Sequence, residues 1–264
     1  MHCETFNIQK PAEPSTSEAA RAGLLSVRGE PLFLADWLRP VFVHYEVPAD
    51  ALQSHFPFEI DLFEGKAYVS LVAFTMQRMR PFHGGRLTAW VLKPIARNDF
   101  LNFRAYVRHN GEPGIYFLTE WMNNPLSVHL GPMTFGLPYN FGITNYQNNH
   151  ESGFLQGAVR EKANEHSFAY QAELTHTESI PCPAGSLDEF LMERYTAFTS
   201  HGTKRRFFRI WHPPWHQQRI KISVTDTRLI TAKWPWFRHA RLVGGNYSPG
   251  AENVWMGRPH RIAM

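Results

Sequence analysis

From Leu101 to Arg108 apolar and polar side chains alternate without a break: Leu101, Phe103, Ala105 and Val107 on one side, Asn102, Arg104, Tyr106 and Arg108 on the other. A period of two predicts a β-strand whose faces differ in character. Residues 114–121 form a second, aromatic-rich run, and Asn110-Gly111-Glu112-Pro113 between them supplies residues that tolerate the positive φ of a tight turn. The two runs are therefore predicted to form a hairpin.

The same reading places strands at Pro40–Val47, Ala67–Met76, Gly153–Lys162, Ser167–His176, Arg206–Trp211 and Arg219–Thr225, with a short helix after Pro48. A helix is predicted from Pro125 towards Met133, broken early by Gly131-Pro132. Another opens at Ser186, with Glu189 three places on as a capping box. The run Leu87–Lys93 reads as apolar and strand-like. Strands dominate, and no internal repeat or linker interrupts them after about residue 25, so a mainly β fold is expected, a closed β-barrel or wrapped antiparallel sheet with a few short helices. The expected organisation is a mobile, Pro/Ser-rich segment over residues 1–25 and a single domain over 26–264.

Composition narrows the class. A chain of 264 residues with 43% hydrophobic content can bury one large core. No run reaches the roughly 18 to 20 apolar residues of a membrane-spanning helix, and the N-terminus has no signal-peptide pattern. Cys3 and Cys182 show neither metal-site spacing nor a disulfide framework, which fits free thiols in the cytoplasm. Twelve Lys/Arg face two acidic residues between His201 and Met264, giving +10 there and −6 elsewhere. Within that basic third, Lys204-Arg-Arg-Phe-Phe-Arg-Ile-Trp-His212 mixes cations with aromatics, but they alternate as a strand does and no nucleic-acid-binding module is present. Neither a nucleic-acid nor a membrane partner is expected, and a homo-oligomer is compatible with the sequence.

Six short motifs occur in order over roughly residues 30 to 258: Leu101-Asn-x-Arg-x-Tyr-Val-Arg, Asn110-Gly-x-Pro-Gly-x-Tyr-Phe, Phe135-Gly-Leu-Pro-Tyr, Glu193-Arg-Tyr195, His212-Pro-Pro-Trp215 and Tyr247-Ser-Pro-Gly250. On these the chain resembles the uncharacterised YqjF-like family of the acetoacetate decarboxylase-like superfamily. The resemblance implies a β-barrel around a closed cavity. In acetoacetate decarboxylase, which exemplifies a lysine activated by desolvation and a neighbouring cation, the loop matching Phe135–Asn140 carries a lysine pair whose first member forms the Schiff base. Tyr139 and Asn140 stand at those positions here. A phenol of pKa about 10 and an amide form no imine. The acidic residue that the decarboxylases carry on the strand before the hairpin matches Asn102. Schiff-base decarboxylation is therefore not carried over, and among the remaining lysines Lys93 has no local mark of a desolvated site.

The polar face of residues 102–108 has two readings, a solvated strand face or one turned into a cavity. The resemblance favours the cavity, because the position matching Asn102 faces inward, and Arg104 then points the same way. A buried guanidinium needs a partner, and its planar fork suits a carboxylate bidentately. The expected ligand is accordingly a small organic acid or keto acid, lined by Asn102, Arg104, Tyr139 and Asn140 with Arg194, Tyr195 and His212 behind them; an internal Asp or Glu is the alternative partner. His212 and His216 stand four apart, but Pro213 and Pro214 forbid the helix that would align them, so no metal site and no cofactor are expected. Two further functions stay open: a non-covalent hydratase, isomerase or lyase using His212 and Tyr139 as acid and base, and an interaction protein whose barrel is filled by its own side chains.

Overall fold

Asn110 and Gly111 both lie at positive φ, 51° and 82°. Their turn joins strands Asn98–His109 and Glu112–Met122 into the predicted hairpin. The computed structural model describes residues 16–149, 151–174 and 178–262. Cys3, the first fifteen residues of the expected mobile segment and the His176 end of one expected strand lie outside them.

The strands are β1 Phe33–Val47, β2 Glu59–Ile60, β3 Ala67–Pro81, β4 Asn98–His109, β5 Glu112–Met122, β6 Tyr139–Phe141, β7 Ile143–Asn149, β8 Phe154–Arg160, β9 Ser167–Glu173, β10 Ile180–Pro181, β11 Thr196–His201, β12 Lys204–Trp211, β13 His216–Asp226, β14 Arg241–Tyr247, β15 Gly250–Met256 and β16 His260–Arg261. The helices are α1 Thr16–Leu25, α2 Ala49–Gln53, α3 Gly85–Thr88, α4 Pro125–Thr134, α5 Leu187–Met192 and α6 Arg228–Lys233, with 3₁₀ turns at Ala89–Ile95 and Pro235–His239. No helix among the described residues is long and apolar enough to cross a membrane.

One sheet closes on itself. Its path runs β15-β12-β11-β5-β4-β3-β1, and β1 returns to β15. Strand β1 makes this closure because it changes partner halfway: Phe33–Leu38 pairs with β15, whereas Val41–Glu46 pairs with β14. Arg39, at φ 50°, and Pro40 mark the change. From β14 the sheet continues through β13, β9, β8 and β7 as an outer arm. Most pairings are antiparallel, but β5 pairs in parallel with both β11 and β6.

Alternation along the strands sorts the side chains into two cores. Val41, Leu71 and Phe103 pack in one cluster with Leu155 and Tyr170 from the arm. Phe42, Phe74, Phe100 and Phe117 belong to the other cluster, inside the ring. On β4 the polar positions Asn102, Arg104 and Tyr106 share the inner face and are buried, while Arg108, near the turn, pairs with Asp61 at 2.9 Å and is half-exposed. Enclosure by the ring, not solvent, accounts for that polar face.

Four local expectations are corrected. Residues 16–25 of the expected mobile segment form α1, which docks through the buried Leu24, the Ser17 hydroxyl donating to His212 O (2.9 Å), and Arg21 lying over the Trp211 and Trp255 rings. The Leu87–Lys93 run is helical rather than strand-like; it enters α3 through Gly84 at φ 86°. Helix α4 passes through Gly131-Pro132 to Thr134, since a proline so near the end removes only one hydrogen bond. It stops where Phe135 and Gly136 both donate to Gly131 O (2.9 and 3.1 Å), with Gly136 at φ 74°. The Ser186 cap accepts from Glu189 N (3.2 Å), but the Glu189 carboxylate reaches Gly185 N (2.6 Å) instead of Ser186 N, so the capping box is shifted by one residue.

Ring closure depends on a bare glycine. Gly250 opens β15 at φ 119°, and a Cβ there would lie 2.2 Å from Trp37 O, backbone that cannot rotate away. Gly250→Ala is expected to cost roughly 1–3 kcal/mol or more. Urea unfolding of the two proteins measures it, and an unchanged midpoint would contradict this account of the closure.

Candidate functional site

Inside the ring lies a cavity of about 250 Å³, lined from β1, β3, β4, β5, β12 and β15, with α4 and the Ala89–Ile95 turn at its border. That volume is slightly below the roughly 300 Å³ at which small-molecule sites usually begin, which suits a ligand of few atoms. Its walls are largely Phe, Trp and Met, among them Trp37, Phe42, Phe100, Met122 and Phe208. The polar groups are few: they lie on β4 and β5, at Tyr139 opening β6, on the segments that follow α5 and β12, and at Ser127 and Thr134 of α4.

The structure brings five of the seven residues singled out from the sequence to this cavity: Asn102, Arg104, Tyr139, Arg194 and His212. Asn140 and Tyr195 do not line it. The Asn140 amide is turned away, donating to Thr119 Oγ1 (2.8 Å) and Pro138 O (2.9 Å). Tyr195 stands behind His212, stacked on its ring at 4.7 Å, with its hydroxyl bonded to Glu193.

Arg104 and Arg194 differ in what compensates them. Arg194 donates to Asp61 Oδ2 at 2.7 Å with both side chains almost fully buried, and its Nε bonds Phe190 O. Arg104 makes no ion pair among the described residues. Its Nη2 donates to Leu191 O (2.9 Å), its guanidinium lies 5.5 Å from the Phe42 ring centre, and its Nε is buried without a partner. Behind it, Tyr106 donates to the same carbonyl (2.9 Å) and joins Ser70 and His44 in a buried chain of hydrogen bonds. Among the described residues no internal acid pairs with Arg104, while Arg194 has one.

His212 is buried between Tyr195 and Trp215, each 4.7 Å away ring to ring. Desolvation lowers its pKa to about 4, against a hydrogen bond to Pro213 O, with Arg104 adding to the lowering. The ring is thus neutral near pH 7; with Nδ1–H directed at Pro213 O (2.8 Å), Nε2 is the acceptor nitrogen. His216, four residues on, is exposed. Tyr139 reaches the cavity because α4 passes it at Gly131, where a Cβ would come within 2.2 Å of its ring. Burial, and secondarily Glu120, hold its pKa well above 10.

Glu120 is the residue that sequence reasoning missed. In an unbroken strand it would share a face with Tyr116 and Leu118, which pack in the outer cluster. The β4–β5 register shifts between Phe103 and Arg104: Phe103 pairs with Thr119 but Arg104 with Phe117, leaving Leu118 as an extra residue. That bulge reverses the parity and turns Glu120 inward, beside Phe117 and Met122. Glu120 pairs directly across from Asn102 and, through β6, beside Tyr139. Desolvation raises its pKa to about 8, opposed by a hydrogen bond from Asn102. The one available signal was an acid within the apolar run Ile115–Met122.

Among the described residues no lysine lines the cavity. Lys93 is exposed. Lys233, whose pKa burial lowers, donates to Thr119 Oγ1 (3.1 Å) and lies over the Trp121 ring, on the outer side of β5.

Comparison with known proteins agrees with this architecture. The model of the DUF2071 family, described as uncharacterized conserved proteins, matches residues 34–248. The uncharacterized protein YqjF of Bacillus subtilis is 30% identical over 205 residues, covering 74% of this chain and 81% of YqjF. Among solved structures, the enduracididine biosynthesis enzyme MppR superposes with a TM-score of 0.64 at 14% identity over 88% of each chain. An acetoacetate decarboxylase-like enzyme from Sphingomonas wittichii gives 0.62 at 13% identity, over 89% of this chain and 94% of its own. Acetoacetate decarboxylase from Legionella pneumophila gives 0.59 at 13% identity, over 97% and 98%. At these identities the likeness shows the fold alone.

The buried carboxyl has a pH signature. An unfolded glutamate loses its proton near pH 4.3 and folded Glu120 near 8, so between these values the folded chain holds the extra proton. Its neutral form contributes fully below the lower value, and that contribution is lost as pH rises to the upper one, at up to about 1.4 kcal/mol per pH unit. Glu120→Gln removes this slope. Urea unfolding at intervals from pH 5.5 to 7.5 is expected to show the variant gaining about 2–3 kcal/mol on the parent as pH rises; parallel curves would refute a neutral buried Glu120.

Proposed function

The chain belongs to the DUF2071 family and has an acetoacetate decarboxylase-like fold, and from that premise we propose that it binds a small carboxylate-bearing metabolite with an apolar body, without Schiff-base chemistry. The observation that carries this reading is the Arg104 guanidinium, buried in the cavity with no counter-ion among the described residues and its Nε unpaired. Removing such a charge from water costs several kcal/mol unless something pairs with it, and a carboxylate accepts two parallel hydrogen bonds from a guanidinium. The Phe- and Met-rich walls fit the remainder of the ligand. MppR, of the same fold, has been solved with pyruvate, a small carboxylate. The absence of lysine from the lining supports the non-covalent character, and the free Cys182 thiol fits a cytoplasmic setting.

A second reading, non-covalent hydratase, isomerase or lyase chemistry, is favoured by one feature. His212, Tyr139 and Glu120 border the same cavity, and burial drives the carboxyl up and the imidazole down, so that the first holds a proton and the second can accept one near pH 7. A filled interior, as an interaction protein would have, is disfavoured by the cavity itself.

Titration calorimetry with 4-methylpentanoate tests the binding reading. Arg104→Gln, with folding checked by circular dichroism, is expected to weaken binding at least about tenfold, the scale of a lost charge-assisted hydrogen bond. Equal affinity in the variant would refute the role of Arg104. Treatment with pyruvate and sodium borohydride is expected to leave the protein's mass unchanged, and a lysine adduct would overturn the non-covalent claim.

A further inference from the structure

Three polar atoms in the cavity wall are buried without a partner: Asn102 Oδ1, Arg104 Nε and Glu120 Oε2. Their residues are 7%, 8% and 3% exposed. They are neighbours by construction, since Asn102 and Arg104 are alternate residues on the inner face of β4 and Glu120 is the residue directly opposite Asn102 on β5. Native proteins leave few buried groups unpaired, so three orphans on one cavity wall describe the polar end of what occupies it.

The three atoms differ in what they ask for. Arg104 Nε–H only donates, and the ligand carboxylate satisfies it. Asn102 Oδ1, a carbonyl oxygen, only accepts. Glu120 Oε2 donates when the carboxyl is neutral, the state that its burial favours near pH 7. Beside the carboxylate the ligand must therefore present a group that donates to Asn102 and accepts from Glu120. A hydroxyl does both. A keto oxygen only accepts and leaves Asn102 Oδ1 bare, a methylene leaves both bare, and an ammonium suits only an ionised Glu120.

We propose that the cavity is selective for hydroxy acids, carboxylates bearing a hydroxyl on the second or third carbon and an apolar tail, over plain and keto acids of the same skeleton. This rests on the carboxylate reading above, with Arg104 as the anchor, and adds Asn102 and Glu120 as the residues that determine specificity. A site with a buried acceptor left unpaired disfavours the wrong ligand by roughly 10- to 100-fold.

The test is calorimetric titration of the full chain at pH 6.5 with five acids of one skeleton: 4-methylpentanoate, its 2-oxo, racemic 2-hydroxy and racemic 3-hydroxy derivatives, and leucine. At least one hydroxy acid is expected to bind ten times or more tighter than the plain and keto acids. Asn102→Leu is expected to abolish that preference, bringing the hydroxy acids to within about threefold of 4-methylpentanoate on the same variant; should this variant not fold, the ranking on the parent protein decides. Comparable affinities for the hydroxy, keto and plain acids overturn the hydroxyl selectivity and leave the carboxylate reading standing. Tightest binding of leucine overturns it too, in favour of an ionised Glu120. If none of the acids binds, both readings fall.

Discussion

A guanidinium held inside a ring of β-strands without an acid beside it sets the terms for everything around it. Arg104 is kept in the cavity by one carbonyl, Leu191 O, and by the faces of Phe42 and Tyr106. None of these carries charge. The carbonyl belongs to α5, whose end is tied down by Arg194 bonding Phe190 O on one side and Asp61 on the other. One arginine is thus spent on structure, which leaves the second pre-positioned and uncompensated. A charge in a low-dielectric site attracts an anion more strongly than it would in water.

The second constraint is the single extra residue on β5. Leu118 shifts the hairpin register so that Glu120, rather than Thr119, looks into the ring. The bulge brings a carboxyl opposite Asn102 and next to Tyr139, and burial then favours its neutral form. A neutral acid, an amide, a phenol and a neutral imidazole consequently border a cavity whose one unpaired charge among the described residues is Arg104. The chemistry of the cavity comes from that arrangement, because each group's protonation follows from how thoroughly the ring excludes water.

Likeness of fold does not carry the decarboxylase's reaction with it. The backbone elements that shape the cavity are present, including the hairpin, the Gly136 turn after α4 and the closure at Gly250. At the position that the sequence resemblance matches to the Schiff-base lysine stands Tyr139, admitted by the missing side chain of Gly131, and Asn140 faces away into Thr119. A scaffold is retained by packing constraints spread over many residues, whereas covalent chemistry rests on a very few side chains, so the two separate readily.

Much of the architecture was legible in the residues. The β4–β5 hairpin, its Asn110-Gly111 turn, the Ser186 cap and the placing of Asn102, Arg104 and Tyr106 on one face of β4 all follow from periodicity and turn chemistry, which are local properties of the chain. Strands β7, β11, β14 and β15, like the two- and three-residue β2, β6, β10 and β16, escaped that reading, because short stretches such as Thr196–His201 form strands only through the neighbours they pair with. Which face of β4 is enclosed, which of two arginines lacks an acid, and the inward turn of Glu120 were settled by tertiary structure alone. Each depends on register or on contacts between residues far apart in sequence, and a one-residue slip that changes no amino acid moves every later side chain to the other face.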